Sequence, residues 1–101
     1  MSVEWPEVIY EASRLFKLPV QNIVSKGLAK FIQEQISQNE QMIDNLKRTY
    51  AVSEHQELEE KIRSKKIPSH PAWEDLIAWE QTDEHLKRCR DLLKELDPDG
   101  E

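Results

Sequence analysis

The sequence predicts an all-α fold: an elongated antiparallel helical hairpin or coiled coil with short extra helices, paired into a dimeric bundle. Three observations predict it. Ile32, Ile36, Ile43, Leu46 and Tyr50, with Asn39 in the one polar slot, follow steps of three and four residues, a heptad seam and not a strand alternation. Only two glycines occur in 101 residues, and prolines stand where helices would open, so little interrupts helical backbone. Charged residues make up 34% and hydrophobic residues 38%, a balance that suits wet, amphipathic helices better than a thick core.

The length allows one small domain, 1–101, read as an N-terminal helical arm (1–18), a long helix (19–50), a short helix and loop (51–70), a second long helix (71–96) and a tail (97–101). Helices are expected near 6–17, 20–50, 54–64 and 71–96. Pro6 suits a first helical position, where its missing N–H costs nothing. Val8, Ile9, Ala12, Leu15 and Phe16 make one face of this arm, expected to fold back on Val20, Ile23, Val24 and Leu28. A DNA-reading helix-turn-helix would need bases at the start of its second helix, and Val-Gln-Asn-Ile-Val supplies none. Leu18-Pro19 ends the arm, because a residue before proline is pushed out of the α region.

Pro19 opens the long helix, ~46 Å at 1.5 Å per residue. Its seam is too long to stay uncovered. Leu28, Phe31 and Met42 lie off that seam, more than one returning helix could cover, so Ile32, Ile36, Asn39, Ile43 and Leu46 are expected at a homodimer interface, with Asn39 setting register. Ser53, with Gln56 three residues on, reads as a capping box. The short helix that follows has only Leu58 and Ile62 as apolar anchors and is expected to pack lightly. Pro71 lies in the first turn of the last helix, and Asp97-Pro98-Asp99-Gly100 stops it. Leu76, Trp79, Asp83, Leu86, Arg90 and Leu93 form its seam, with Asp83 and Arg90 as charged intruders that either meet a second copy or lie at the edge of an imperfect seam.

No run approaches the ~20 apolar residues needed to span a bilayer, and MSVEWPEVIYEASR lacks the layout of a signal peptide. Cys89 is the one cysteine, so no internal disulfide can form and a reducing cytoplasm is the expected setting. With no evident base or helix N-terminus beside it, Cys89 reads as a bystander. His55/Glu59 and His70/Glu74 are isolated pairs; Glu-x-x-His, a zinc-type cluster and a Gly-rich phosphate loop are all missing. The expectation is a protein with no catalytic residues, no metal and no cofactor.

Charge is unevenly placed. Residues 1–50 hold six acids and six bases, 51–70 four of each, and 71–101 ten acids against four bases, so the whole net charge of −6 sits in the last third. Bare nucleic acid would be repelled, and a basic protein partner attracted. Glu80, Glu84, Asp91 and Glu95 are expected on the outer face of the last helix. Trp73 and Trp79 are six residues apart and cannot share one face. Both are candidate partner-binding residues with these acids, unless both are core or dimer aromatics; if Trp73 joins Leu76 and Ile77 in the core, Trp79 lies toward the flank as the expected interface anchor.

A long helix opened by Leu-Pro-Val, Tyr50 at its end, a Glu-rich short helix and the stretch HPAWEDLIAWE (His70–Glu80) resemble a group of small archaeal and cyanobacterial proteins. That group is similar to antitoxins of toxin–antitoxin pairs, encoded beside small ribonuclease-like toxins of the TumE type. The resemblance spans Leu18 to Leu96, with His70–Glu80 its specific part. It implies a cytoplasmic protein that neutralises a toxin through its acidic C-terminal helix, and an acidic face would suit a ribonuclease that carries a basic groove. Antitoxins often add a DNA-binding part, which is not evident here. The alternative is a homo-oligomeric coiled-coil scaffold or adaptor without a toxin target.

Overall fold

The computed structural model describes residues 5–96. Four helices follow in order: α1 (Glu7–Phe16), α2 (Val20–Tyr50), α3 (His55–Arg63) and α4 (Ser69–Leu96), and the described residues contain no strand. The expected tail, with its Asp97–Gly100 stop, and residues 1–4 of the arm lie outside the described residues. The molecule measures 61 × 27 × 26 Å, with a radius of gyration of 19.8 Å; a compact chain of this length would have about 13 Å.

The proline signals translate directly. Pro6 and Pro19 sit at the N-caps of α1 and α2, and the His70–Pro71 peptide is cis, with His70 outside helical φ/ψ, so regular helix in α4 begins after it. The C-terminal ends are less conventional. Lys17 and Ala51 close α1 and α2 in the left-handed region (φ 57° and 54°), and Lys65 does the same after α3 (φ 61°). Glycine is the usual residue at such caps, since any Cβ is strained there.

α4 runs back antiparallel along α2. Tyr50 meets Asp75 near the turn, Met42 meets Thr82 in the middle, and Glu40 pairs with Arg90 further on. One cluster of buried residues, Ile43, Val52, Leu58, Ala72, Leu76, Trp79 and Leu86, fills the closed end, with Ile36, Leu46, Tyr50, Ile62 and Ile67 packed against it.

This packing corrects several expectations. Ile36, Ile43 and Leu46 belong to the core made with this chain's own α3 and α4, and Ile32 is likewise buried within the chain, so these positions are not a free homodimer seam. Asn39 donates through Nδ2 to the Gln35 carbonyl of its own helix at 2.7 Å, so its amide finds a partner within α2. The α4 seam is shifted by one residue at two places: Thr82 and Cys89 are buried where Asp83 and Arg90 were expected. The shift spares two charges from desolvation, and the Thr82 hydroxyl donates to the Ala78 carbonyl at 2.7 Å. Arg90 instead pairs with Glu40 of the same chain at 2.7 Å, not with a second copy.

α3 also differs. Its N-cap is Glu54, with no side-chain cap bond, and the Ser53 backbone N–H donates to Glu57 Oε1 at 3.3 Å. The box thus closes on a charged first-turn carboxylate and not on Gln56. Leu58 is fully buried and Val52 nearly so, which makes α3 a wedge of the core and not a light appendage. α1 shows the opposite departure, with no buried residue at all.

Candidate partner-binding face

α4 presents two sides of opposite character. Ala72, Leu76, Trp79, Thr82, Leu86 and Cys89 are buried against α2 and α3. On the far side Trp73, Ile77, Glu80, Glu84, Arg88, Asp91 and Glu95 recur at steps of four, three, four, four, three and four, and all are exposed. Residues at these spacings are neighbours on a helix surface. The strip therefore holds two large apolar side chains at its start, then four carboxylates against one guanidinium.

Trp73, Glu80, Glu84, Asp91 and Glu95 thus share one strip, while Trp79 does not join them. Trp79 is 2% exposed and Trp73 46%, the reverse of the expected assignment. The reason is register. Trp79 lies three residues after Leu76 and seven before Leu86, squarely on the buried seam, whereas Trp73 is three before Leu76 and rotates outward. The Trp79 ring meets the His55 imidazole edge-on, with centroids 6.0 Å apart and planes at 72°. Ile77, grouped with Trp73 in the core by the sequence, stays with it but on the exposed side. Its four-residue spacing from Trp73 was readable once Leu76, Trp79 and Leu86 were taken as the inner line.

Several polar contacts fix how α4 presents this strip. The Tyr50 hydroxyl donates to Asp75 Oδ2. Burial first, and then that hydrogen bond and the Asp75 and Glu74 charges, push the Tyr50 phenol up to about 12. Lys61 Nζ donates to the Tyr50 and Ala51 carbonyls at 2.8 and 3.4 Å, placing a cation at the negative end of α2. His55 stands between two α4 carboxylates, Nδ1 3.8 Å from Glu80 and Nε2 3.8 Å from Asp83, and its Nδ1 has no hydrogen-bond partner. At the start of α4, His70 Nδ1 lies 3.1 Å from both Glu74 carboxylate oxygens. That hydrogen bond, with the Glu74 backbone N–H adding to it, holds Glu74 below its ordinary range.

The grooves nearby are open. One of about 290 Å³ is bordered by Ile43, Lys47, His55, Trp79 and Asp83, and one of about 550 Å³ lies between the first half of α2 and Leu93 and Leu96. Among the described residues no group of three or more His, Cys, Asp and Glu is placed to hold a metal ion. His85 Nε2 lies 3.7 Å from Cys89 Sγ, so a base does stand beside the thiol, a four-residue spacing the sequence reading passed over. The thiol is buried, which denies it to bulky electrophiles. No described helix is long and apolar enough to cross a membrane. What the arrangement offers chemically is recognition: an apolar pair to enter a pocket, and carboxylates to meet cations.

The family model that matches the chain, over residues 1–100, is described as the Uncharacterized protein MJ0235 family. No curated protein and no solved structure matches it.

Proposed function

The chain belongs to the Uncharacterized protein MJ0235 family, and from that premise we propose that it is a cytoplasmic, antitoxin-like binding protein, not an enzyme, that neutralises a basic protein partner through the outer strip of α4. The observation that carries the reading is the exposed pair Trp73 and Ile77 leading into Glu80, Glu84, Asp91 and Glu95 on a helix whose other side is fixed by the core. Aromatic anchors dominate interface energetics, and flanking charges mainly govern encounter and specificity. A ribonuclease toxin is the partner class that fits, because an RNA-binding groove must be cationic. The resemblance of His70–Glu80 to antitoxin-like proteins points the same way. Trp79 has no direct part in this contact; it holds the helix in place.

Co-expression with the product of the adjacent gene, followed by co-purification, tests the proposal. Stable capture of a small basic protein supports it, and Glu84→Lys should then lower the association rate and blunt its dependence on salt. If the adjacent product is not captured, or is captured equally by a variant with Glu80, Glu84, Asp91 and Glu95 all replaced by Gln, the acidic-strip reading fails. The alternative, a homo-oligomeric scaffold without a toxin target, then takes its place.

A further inference from the structure

α1 is the only described helix without a buried residue. Val8, Ala12 and Leu15 follow at steps of four and three, one stripe of the α1 surface. Val8 is 65% exposed and Leu15 74%, with Ala12 between them half-buried, so the two large side chains of the stripe are uncovered by the rest of the chain. Leu28 and Phe31 on the first half of α2 and Phe16 beside the stripe are exposed as well. Glu7, Glu11 and Arg14 all lie along one flank of the stripe, with Arg14 reaching back to 3.7 Å from Glu7.

We propose that this end of the molecule is a self-association surface, on which α1 of a second copy packs antiparallel to α1 about a twofold axis near Ala12. Charge selects this occupant. In an antiparallel twofold pair each flank meets its own copy, so Arg14 lies between the second copy's Glu7 and Glu11 on both sides of the axis and offsets the meeting of the two Glu11 carboxylates there. A parallel pair would set that charged flank against Ile9 and Phe16. Ala12 at the centre allows close approach of the two backbones, and Val8 then lies opposite the second copy's Leu15. An anionic membrane is a poorer occupant, because Glu7 and Glu11 balance Arg14 and Lys17 and leave no basic excess. A cationic toxin gains little from the same neutral surface.

Area supports the same choice. Val8, Leu15, Phe16, Leu28 and Phe31 leave on the order of 500 Å² of apolar surface per copy in water, about 1,000 Å² for a pair if the α2 residues Leu28 and Phe31 are covered along with α1. That is the lower end of what specific association requires, and a two-helix contact through α1 alone would fall short of it. The dimer is therefore expected to be weak and reversible. It goes beyond the binding role of α4 and does not depend on it, since the two surfaces lie on different helices.

Sedimentation equilibrium of the full chain across 1–200 µM tests the proposal, with circular dichroism of every variant to show that the fold is kept. The wild type should move from monomer to dimer over this range. Leu15→Glu should raise the dissociation constant at least tenfold with helix content unchanged. The sharper test mixes two variants: Arg14→Glu, and the double change Glu7→Arg with Glu11→Arg. Each alone should be monomeric, because like charges then face one another, and an equimolar mixture should form a heterodimer. A wild type that is monomeric at 200 µM, a dimer indifferent to Leu15→Glu, or variants that do not combine on mixing would each overturn it. So would α1-dependent binding to phosphatidylglycerol vesicles by a monomeric chain, which would make the stripe a membrane contact.

Discussion

The two ends of this hairpin are built from similar residues and behave differently. At the closed end, where α2 turns into α3 and α4 begins, Leu58, Leu76 and Trp79 are almost wholly buried, and Tyr50, Asp75 and Lys61 tie three helices together. At the open end α1 and the first half of α2 carry as many large apolar groups, yet Val8, Leu15, Phe16, Leu28 and Phe31 all face water. Composition does not separate the ends; the number of helices does. Three helices surround the first, whereas α1 packs on α2 and leaves Val8 and Leu15 outward. An apolar residue is stabilising only where the chain brings something to cover it.

Substitutions at the closed end should have the largest effect. Trp79→Ala or Leu58→Ala should each cost roughly 3–5 kcal/mol, much of the total stability of a domain this size, as read by urea denaturation. Val8→Ala or Leu15→Ala at the open end should change it by about 0.5 kcal/mol or less. Equal losses at both ends would show that α1 is part of the cooperative core.

A subtler contrast uses the left-handed caps. Ala51→Gly relieves a strained Cβ in the middle of the packed turn and should raise stability by about 1 kcal/mol. Lys17→Gly relieves the same strain at α1 and should leave the main unfolding transition unmoved, since α1 can fray without disturbing the core.

The Tyr50–Asp75 bond sharpens the picture through pH. Because the Tyr50 phenol is raised from 10.0 to about 12 in the folded protein, its proton is held more tightly when folded. That contribution is complete below pH 10, declines as the pH rises from 10 and is lost near 12. Tyr50→Phe should remove this alkaline decline and cost about 1–3 kcal/mol at neutral pH by leaving Asp75 without its donor. Arg90→Ala should cost less than about 1 kcal/mol and less still at high salt, because its pair with Glu40 is half in water.

Much of this architecture could be read from the chain. Pro6, Pro19 and Pro71 mark helix starts whatever the tertiary setting, and the heptad spacing of Ile36, Ile43 and Leu46 identifies the covered face of α2. What covers that face was not legible. A heptad seam looks the same whether its partner is a second molecule or the returning α4. The choice between Trp73 and Trp79 failed for a related reason: the inner line of α4 accepts Thr82 and Cys89, residues that a search for large apolar side chains passes over, and Asp83 and Arg90 drew the seam one residue aside. Leu58 was undervalued because helix α3 offers few anchors, although one fully enclosed side chain suffices to seat it. The acidic strip, in contrast, needs only helical periodicity, and four of its carboxylates were placed correctly from sequence alone.

On the function proposed above, the outer strip of α4 binds a basic partner with Trp73 as its anchor. The most direct measurement is the dissociation constant of the adjacent gene's product for the wild type, Trp73→Ala and Leu92→Ala, the last being an equally exposed apolar residue of α4 off the strip. Trp73→Ala should weaken binding about thirtyfold, or ~2 kcal/mol, with helix content unchanged, and Leu92→Ala should stay within about twofold of the wild type. Binding that survives Trp73→Ala intact, or that falls as far with Leu92→Ala, would contradict the account.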